Sequence, residues 1–381
     1  MRAADMKEFS IDKERLVKTL QSLVRIPSFV DSIEVSGWVK KEMEGIGYHV
    51  DSDKDGNLIA EIGKGPGFLL NAHLDTVGPG DGWRLGPFSG AIENGRVYGR
   101  GSTDCKSGVA AMIEIARILK GGLKKRVVFA FTAFEEGYPP EKRGAYKIAG
   151  KLANIEKGLI VEPTYEGSSL KIYTGCRGNA KYSIDIIGTR GHSAMPGKSD
   201  NPIFRFPALL DEIRRFPTRS MEIKAIGKQI SDSITVTEIC AKEGYNVIPG
   251  RCSLTLDRRS LPDEKPGDAD EAITRSCKAA LGNRFELRRL SATQGYYFND
   301  ADFLSLCRKS VISRGLKPTV DFLLAGIDGA VFYNIAGIGT FMLGPGTDGQ
   351  EHTIDEYCDL EGLYKGTEAV LAVIRSWDGS G

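Results

Sequence analysis

Charge of one sign, long apolar runs, paired cysteines and histidine are all in short supply in this sequence, and each shortage excludes something. The 51 basic and 50 acidic residues leave a net charge of +1, so no overall field draws the chain to nucleic acid or an anionic membrane. No stretch holds the ~20 consecutive apolar residues that a membrane span needs. Residues 1–9 are charged and contain no apolar core of a secretion signal. The seven cysteines are scattered without CxxC spacing, which argues against a cysteine zinc cluster and a disulfide framework. A cytoplasmic protein without nucleic-acid or membrane partners is the expectation. Internal repeats and low-complexity tracts are also lacking.

What is present is an alternation of helices and strands. At roughly 150 residues per domain, 381 residues make two or three domains the prior. Ile11, Leu16, Leu20, Leu23 and Val24 recur at helical spacing and stop at Ile26-Pro27. A helix at 35–43 and short strands at 48–50 and 58–62 follow, and then a nearly continuous apolar run at 68–73, suited to a strand buried on both faces. Helices at 107–119 and 145–152 alternate with apolar strands at 127–134 and 159–161, the pattern of an α/β layer with a mostly parallel central sheet flanked by helices. Near Gly175 the texture changes. Segments 182–186, 233–239 and 252–256 alternate apolar and polar residues, as half-exposed antiparallel strands do, and helices are expected at 202–215 and 268–281. The loop between them spans 261–267. After about Leu290 the α/β texture returns, ending in a helix at 360–377, so the α+β block is an insertion.

Three of the four histidines stand in dense polar clusters: His73 two residues before Asp75, His192 in Gly191-His192-Ser193, and His352 in Glu351-His352-Thr353-Ile354-Asp355-Glu356. His73 and Asp75 share a face at the end of an apolar strand, where open α/β sheets place ligands. Alone, the pair also suits a buried histidine held for structural reasons. Asp104 ends a glycine-rich turn before a helix, the place of an N-cap. Glu135-Glu136 and Glu162 each follow an apolar strand, where single charges are commonplace. Together His73, Asp104, Glu136, Glu162 and His352 supply two imidazoles and three carboxylates, a donor set for two divalent ions, with Glu135 and Asp75 left over. If Asp104 bridges, each ion gains one histidine and one further carboxylate and keeps an open position for a shared water. A carboxylate outside the ligand set, such as Glu135, then serves as general base.

These blocks, with Gly101 to Gly108, Glu162-Pro163-Thr164 and Gly344-Pro345-Gly346, resemble the M20 metallopeptidase family, which includes succinyl-diaminopimelate desuccinylase, acetylornithine deacetylase, aminoacylase-1 and glutamate carboxypeptidase. They run in order along nearly the whole chain. The resemblance implies a catalytic domain in two parts, 1–176 and 290–381, interrupted by a lid and dimerisation domain at 177–289. It makes His73 and Glu162 ligands of one zinc, Glu136 and His352 ligands of the other, Asp104 the bridge, Glu135 the base and Asp75 the partner of His73. His192 becomes an oxyanion donor, typically supplied by the neighbouring subunit, and the peptide after Asp104 is implied to be cis. Looser matches suggest Asn246 and Arg259 as holders of a substrate carboxylate, with Arg177 and Gly326 as further substrate contacts. Arg258, on the opposite strand face, is not expected to join them. An Arg fork suits that role because it binds a carboxylate bidentately. Cys105 and Ser107 depart from the commoner Met and Gly, and segment 138–143 departs from the usual short glycine-rich turn. Cys105 is read first as a small buried residue, with an ancillary ligand as the alternative. His49 belongs to no motif and is treated as structural.

The expected function is a di-zinc amidohydrolase that removes an acyl group from an N-acyl amino acid. Glu rather than Asp at position 162 tilts the resemblance toward deacylases and carboxypeptidases. A carboxypeptidase or dipeptidase acting on short peptides is the alternative, and a metal-stabilised binding protein whose catalysis has lapsed is the alternative from another class. Cobalt or manganese can replace zinc, because histidine and carboxylate ligands accept all three. The expected assembly is a homodimer through the lid.

Overall fold

Every residue of the strand Gly67–His73 is buried, and the elements around it are those needed to cover a strand on both faces. A computed structural model describes residues 10–380; the charged segment 1–9 lies outside them. The chain divides into two compact units. The first takes in the chain up to Gly175, Phe298–Phe322 and the chain from Ile327 onward; the second takes in Cys176–Tyr297 and Leu323–Gly326.

The first unit is built on one large sheet with a parallel centre. Arg126–Thr132, Gly67–His73, Ile155–Ile160 and Gly339–Met342 lie side by side in that order, all parallel. Antiparallel strands flank them: Leu58–Ile62 and then Val50–Ser52 on one side, Ser169–Cys176 on the other. Helix Lys106–Leu119, buried along nearly its whole length, packs against Gly67–His73 and against the helices Lys13–Val24 and Leu360–Asp378. Helix Gly144–Ala149 packs on Asp328–Ala336. Phe68 of the sheet, Phe303 of helix Ala301–Ile312, Trp377 of helix Leu360–Asp378 and Phe341 of the sheet form an aromatic cluster that joins the sheet to these helices.

The second unit is an antiparallel sheet, Ser233–Cys240, Arg251–Ser260, Gly178–Ile187 and Phe285–Thr293 in that order. Arg251–Ser260 alternates burial residue by residue. Its inward side chains, with Tyr182, Ile184 and Ile186, meet Leu209 and Ile213 of helix Phe206–Arg214 and Ile273 and Cys277 of helix Pro266–Leu281. That helix begins two residues earlier than the sequence suggests, inside the expected loop, because Pro266 is preorganised for the first helical position. No helix among the described residues is long and apolar enough to cross a membrane.

Candidate metal centre

Parallel pairing brings the functional strand ends together. His73 pairs with Thr132, while Asn71 pairs with both Ala130 and Ile160. Glu162, two residues beyond Ile160, therefore leaves the sheet beside His73. The strand expected at 127–134 ends at Thr132, because Phe134 turns the chain with φ of 61°, a conformation uncommon for an aromatic residue. The two amides that follow both donate to one carboxylate: Glu135 N to Asp75 Oδ1 at 3.0 Å and Glu136 N to Asp75 Oδ2 at 2.9 Å. His73 Nδ1 donates to the Asp75 backbone oxygen at 3.0 Å, with the carboxylate at 3.7 Å. Asp75 thus partners His73 through its carbonyl and fixes the Glu135-Glu136 turn through its side chain, a second role that the sequence did not disclose.

Asp104 precedes helix Lys106–Leu119, but the cap position belongs to Cys105, so Asp104 is not the N-cap and its carboxylate is free to face the cleft. The Asp104–Cys105 peptide is cis. Gly108 lets the helix touch the Glu162 strand end directly, since a Cβ there would lie 1.8 Å from Val161 O. The loop itself is caged by the buried Glu356, which accepts from the backbone N–H groups of Gly101, Thr103 and Asp104 at 2.9–3.1 Å and from Arg100 Nη1 at 2.6 Å. Arg100 Nη2 also donates to the carbonyls of His352 and Thr353 at 3.3 and 3.1 Å. One ion pair therefore ties the Asp104 loop to the His352 loop.

Within this frame each Asp104 oxygen meets a different imidazole. Oδ1 is 3.0 Å from His73 Nε2, and Oδ2 is 3.5 Å from His352 Nε2. His352 Nε2 also lies 2.9 Å from Glu136 Oε1. Glu162 is buried and its Oε1 has no hydrogen-bond partner. Burial lifts Glu162 well above the usual carboxylate range, with His73 opposing and Glu135, Asp104 and Asp328 reinforcing the shift. Burial also pushes Glu135 up to about 8 against the pull of Arg143. Hydrogen bonds to Asp104 and Glu136 push His352 up to about 10. Asp104 moves the other way: burial raises it, but the two imidazoles outweigh burial and hold it below its ordinary value. The site is thus a buried excess of carboxylates that draws in positive charge. Imidazole nitrogens and carboxylate oxygens are donors for divalent cations, and the two faces of Asp104 with the orphaned Glu162 oxygen fit two of them. Cys105 is close enough to join one donor group, but burial pushes its thiol far up and its Sγ faces Val161 O at 3.4 Å; a neutral thiol packs there as a small residue.

The remaining candidates belong to the second unit, in two groups. Arg259 pairs across the sheet with Asn179 and binds Asp257 at 2.7 Å. Burial and the neighbouring Arg259 charge lower Arg177, whose guanidinium donates to Leu324 O and Ser231 O. Gly326 lies against Asn179 Nδ2. His192 and Asn246 form the other group: Gly191–His192 pairs with Val247–Ile248, and Ser193 N donates to Asn246 O at 3.0 Å. His192 is exposed, and its Nδ1 accepts from Ala194 N at 3.0 Å, which leaves Nε2 to carry the proton in the neutral ring. Arg258 points away into a buried pairing with Asp232 and Glu264. His49 is exposed beside Asp51 at 3.3 Å and packs in no core.

Sequence reasoning missed the groups that hold the site: Arg100, Glu356, Arg143 and Asp328. All four stand in segments already singled out, Arg100 in the glycine-rich turn before Asp104, Glu356 in the His352 cluster, Asp328 two residues after Gly326 and Arg143 in the aberrant turn. A charged residue inside a glycine-rich or ligand-bearing block was the available signal.

The chain is similar to known proteins. A succinyl-diaminopimelate desuccinylase from Gluconacetobacter diazotrophicus is 33% identical over 263 residues, 63% of this chain and 66% of that protein. One from Parvibaculum lavamentivorans is 35% identical over 212 residues, 53% of this chain and 52% of that protein. The chain thus spans between half and two thirds of the length of these relatives. Among solved structures, an M20 family metallo-carboxypeptidase from Sulfolobus solfataricus superposes with a TM-score of 0.79 over 95% of this chain and 99% of the other, at 18% identity, which is a likeness of fold. The family model described as peptidase family M20/M25/M40 matches residues 69–376. That span holds both imidazoles and every carboxylate of the centre, and the chain belongs to that family.

Proposed function

We propose that this protein is a di-metal amidohydrolase that removes the acyl group from an N-acyl amino acid. The observation that carries the reading is the carboxylate of Asp104, whose two oxygens face His73 and His352 separately. His73 and Glu162 would hold one ion, Glu136 and His352 the other, and Asp104 both. When bound, two divalent cations acidify an attacking water and polarise the amide carbonyl. Zinc is the first choice for a set of imidazole and carboxylate donors, with cobalt or manganese as alternatives.

Glu135 takes the proton from water and returns it to the leaving amine. Its surroundings favour proton transfer, since Asp75 fixes its backbone amide and burial raises its proton affinity toward the working pH. In the inserted unit, whose span 177–289 we assign as lid and dimerisation domain, Arg259 would receive the substrate carboxylate with Arg177 and Gly326 near it, and Asn246 would add a contact from the group that holds His192. His192 would donate its Nε2 proton to the developing oxyanion from the lid of a second copy. The seven cysteines, none in a disulfide and six of them buried, suit the reducing cytosol that this reading includes.

The succinylated substrate in the names of the relatives makes N-succinyl amino acids the first compounds to try. Release of free amine from a panel of N-succinyl- and N-acetyl-amino acids and simple dipeptides, with metal-stripped protein before and after zinc, tests the proposal. Zinc-dependent deacylation is expected. Cleavage of dipeptides alone would make the protein a peptidase, and silence across the panel with two ions bound would make it a binding protein. The dimer is tested by mixing inactive His192→Ala and Glu135→Gln chains. Recovery of activity is expected, and none despite subunit exchange would refute the cross-subunit role.

A further inference from the structure

The turn after the two glutamates departs from the short glycine-rich form, and the structure shows what the departure contains. The chain leaves the site at Glu136, passes Pro139-Pro140 and closes on itself, with Arg143 N donating to Pro139 O and Pro140 O. Gly144 N then donates to Ala133 O at 2.7 Å. A Cβ on Gly144 would meet Asn57 Oδ1 at 1.8 Å, so glycine is what lets the turn dock on the end of the Thr132 strand. The docking returns the Arg143 side chain, 6% exposed, to the Glu135 carboxylate. Its Nη2 donates to Glu135 Oε1 and, at 3.2 Å, to Asp328 Oδ1.

Asp328 is itself immobilised. It opens helix Asp328–Ala336, where the helix dipole favours a carboxylate, and its Oδ2 accepts from Thr132 Oγ1 at 2.7 Å. Thr132 Oγ1 accepts in turn from Asn71 Nδ2 at 3.1 Å, and Asn71 Nδ2 also reaches Ala130 O at 3.2 Å. Asn71, Thr132 and Asp328 are all buried. A continuous run of hydrogen bonds thus leads from two central strands through Asp328 and Arg143 to Glu135, and it involves none of the groups assigned to the ions.

We propose that Arg143, oriented by Asp328, is a positioning residue for Glu135, holding the carboxylate at the place from which it exchanges a proton with water. The inference rests on Glu135 being the general base. A base loose in its pocket by about 1 Å costs up to ~100-fold in rate, so this anchor acts on kcat rather than on substrate binding.

The test uses full-length, zinc-loaded protein and the best substrate among the acyl-amino acids and dipeptides named for the functional assay. Arg143→Met is expected to lower kcat about 10- to 100-fold, to leave KM within about twofold and to keep two ions per chain. Arg143→Lys should recover part of the loss, and Asp328→Asn should reproduce it. If Arg143 acts through Glu135, adding Arg143→Met to Glu135→Gln costs nothing further. Full kcat in folded Arg143→Met, a loss confined to KM, or an additive loss in the double variant would each overturn the proposal. Should Arg143→Met fail to fold, full kcat in Asp328→Asn would overturn it equally. High activity in Glu135→Gln alone would instead sink the base assignment underneath.

Discussion

Glu135 and Glu136 are neighbours in sequence with different surroundings, and the difference assigns their work. Glu136 faces His352, one of the paired donors around Asp104, whereas Glu135 faces the Arg143 guanidinium. Glu135→Gln should therefore lower turnover about 10²- to 10⁴-fold while two ions per chain remain bound, as read by steady-state kinetics and metal analysis of the same sample. Loss of an ion from that variant would place Glu135 among the ligands and leave the base unassigned. The ligand-type residues were legible because histidine is rare here and each cluster closes an apolar strand or a glycine-rich turn. Their supports were not. Arg and Glu are ordinary surface residues by composition, and nothing local marks Glu356 as the acceptor for amides more than 250 positions away.

Elements were readable where burial is two-sided or strictly alternating. Gly67–His73 reads as a continuous apolar run because helices and sheet leave it no solvent face, and Arg251–Ser260 alternates because helices cover one face of its sheet. Phe285–Thr293 escaped notice because it is an edge strand whose exposed positions carry Glu286, Arg288 and Arg289, a pattern that reads as a loop. The link between elements that matters most for the site is equally hidden: Arg100 and Glu356 fasten the Asp104 loop to the His352 loop. Glu356→Gln keeps the shape but removes the charge that faces Arg100 and weakens the three amide bonds. Zinc affinity should fall about 10- to 100-fold, measured by competition with a chromophoric chelator. Unchanged affinity for both ions in the folded variant would show that the loops hold their positions without the pair.

For the molecule as a whole, the titration of the site sets how stability varies with pH. A group whose folded pKa lies above its unfolded value binds its proton more tightly in the native state, so it stabilises the fold at low pH and ceases to do so as pH rises through the folded value. His352 rises from 6.5 to about 10, and its contribution is complete below 6.5 and is lost on the way to 10. Glu135 rises from 4.5 to about 8, and its contribution is complete below 4.5 and gone above 8. The two slopes share a sign between pH 6.5 and 8 and together exceed the opposite slope of Lys106, which burial lowers from 10.5 to about 7, so the Tm of metal-stripped protein should fall across that window. His352→Asn should flatten the fall. Zinc reverses the balance, because its ligands must shed protons to bind and its affinity therefore grows with pH, as does the stabilisation that follows from ligation of the native state alone. Calorimetry of stripped and zinc-saturated protein at pH 6.5 and 8 should show the stripped Tm falling and the zinc-induced rise in Tm widening. A stripped Tm that stays level or climbs would mean that the carboxylates and His352 are already neutralised by another route, and the surplus of negative charge assigned to the metals would not exist.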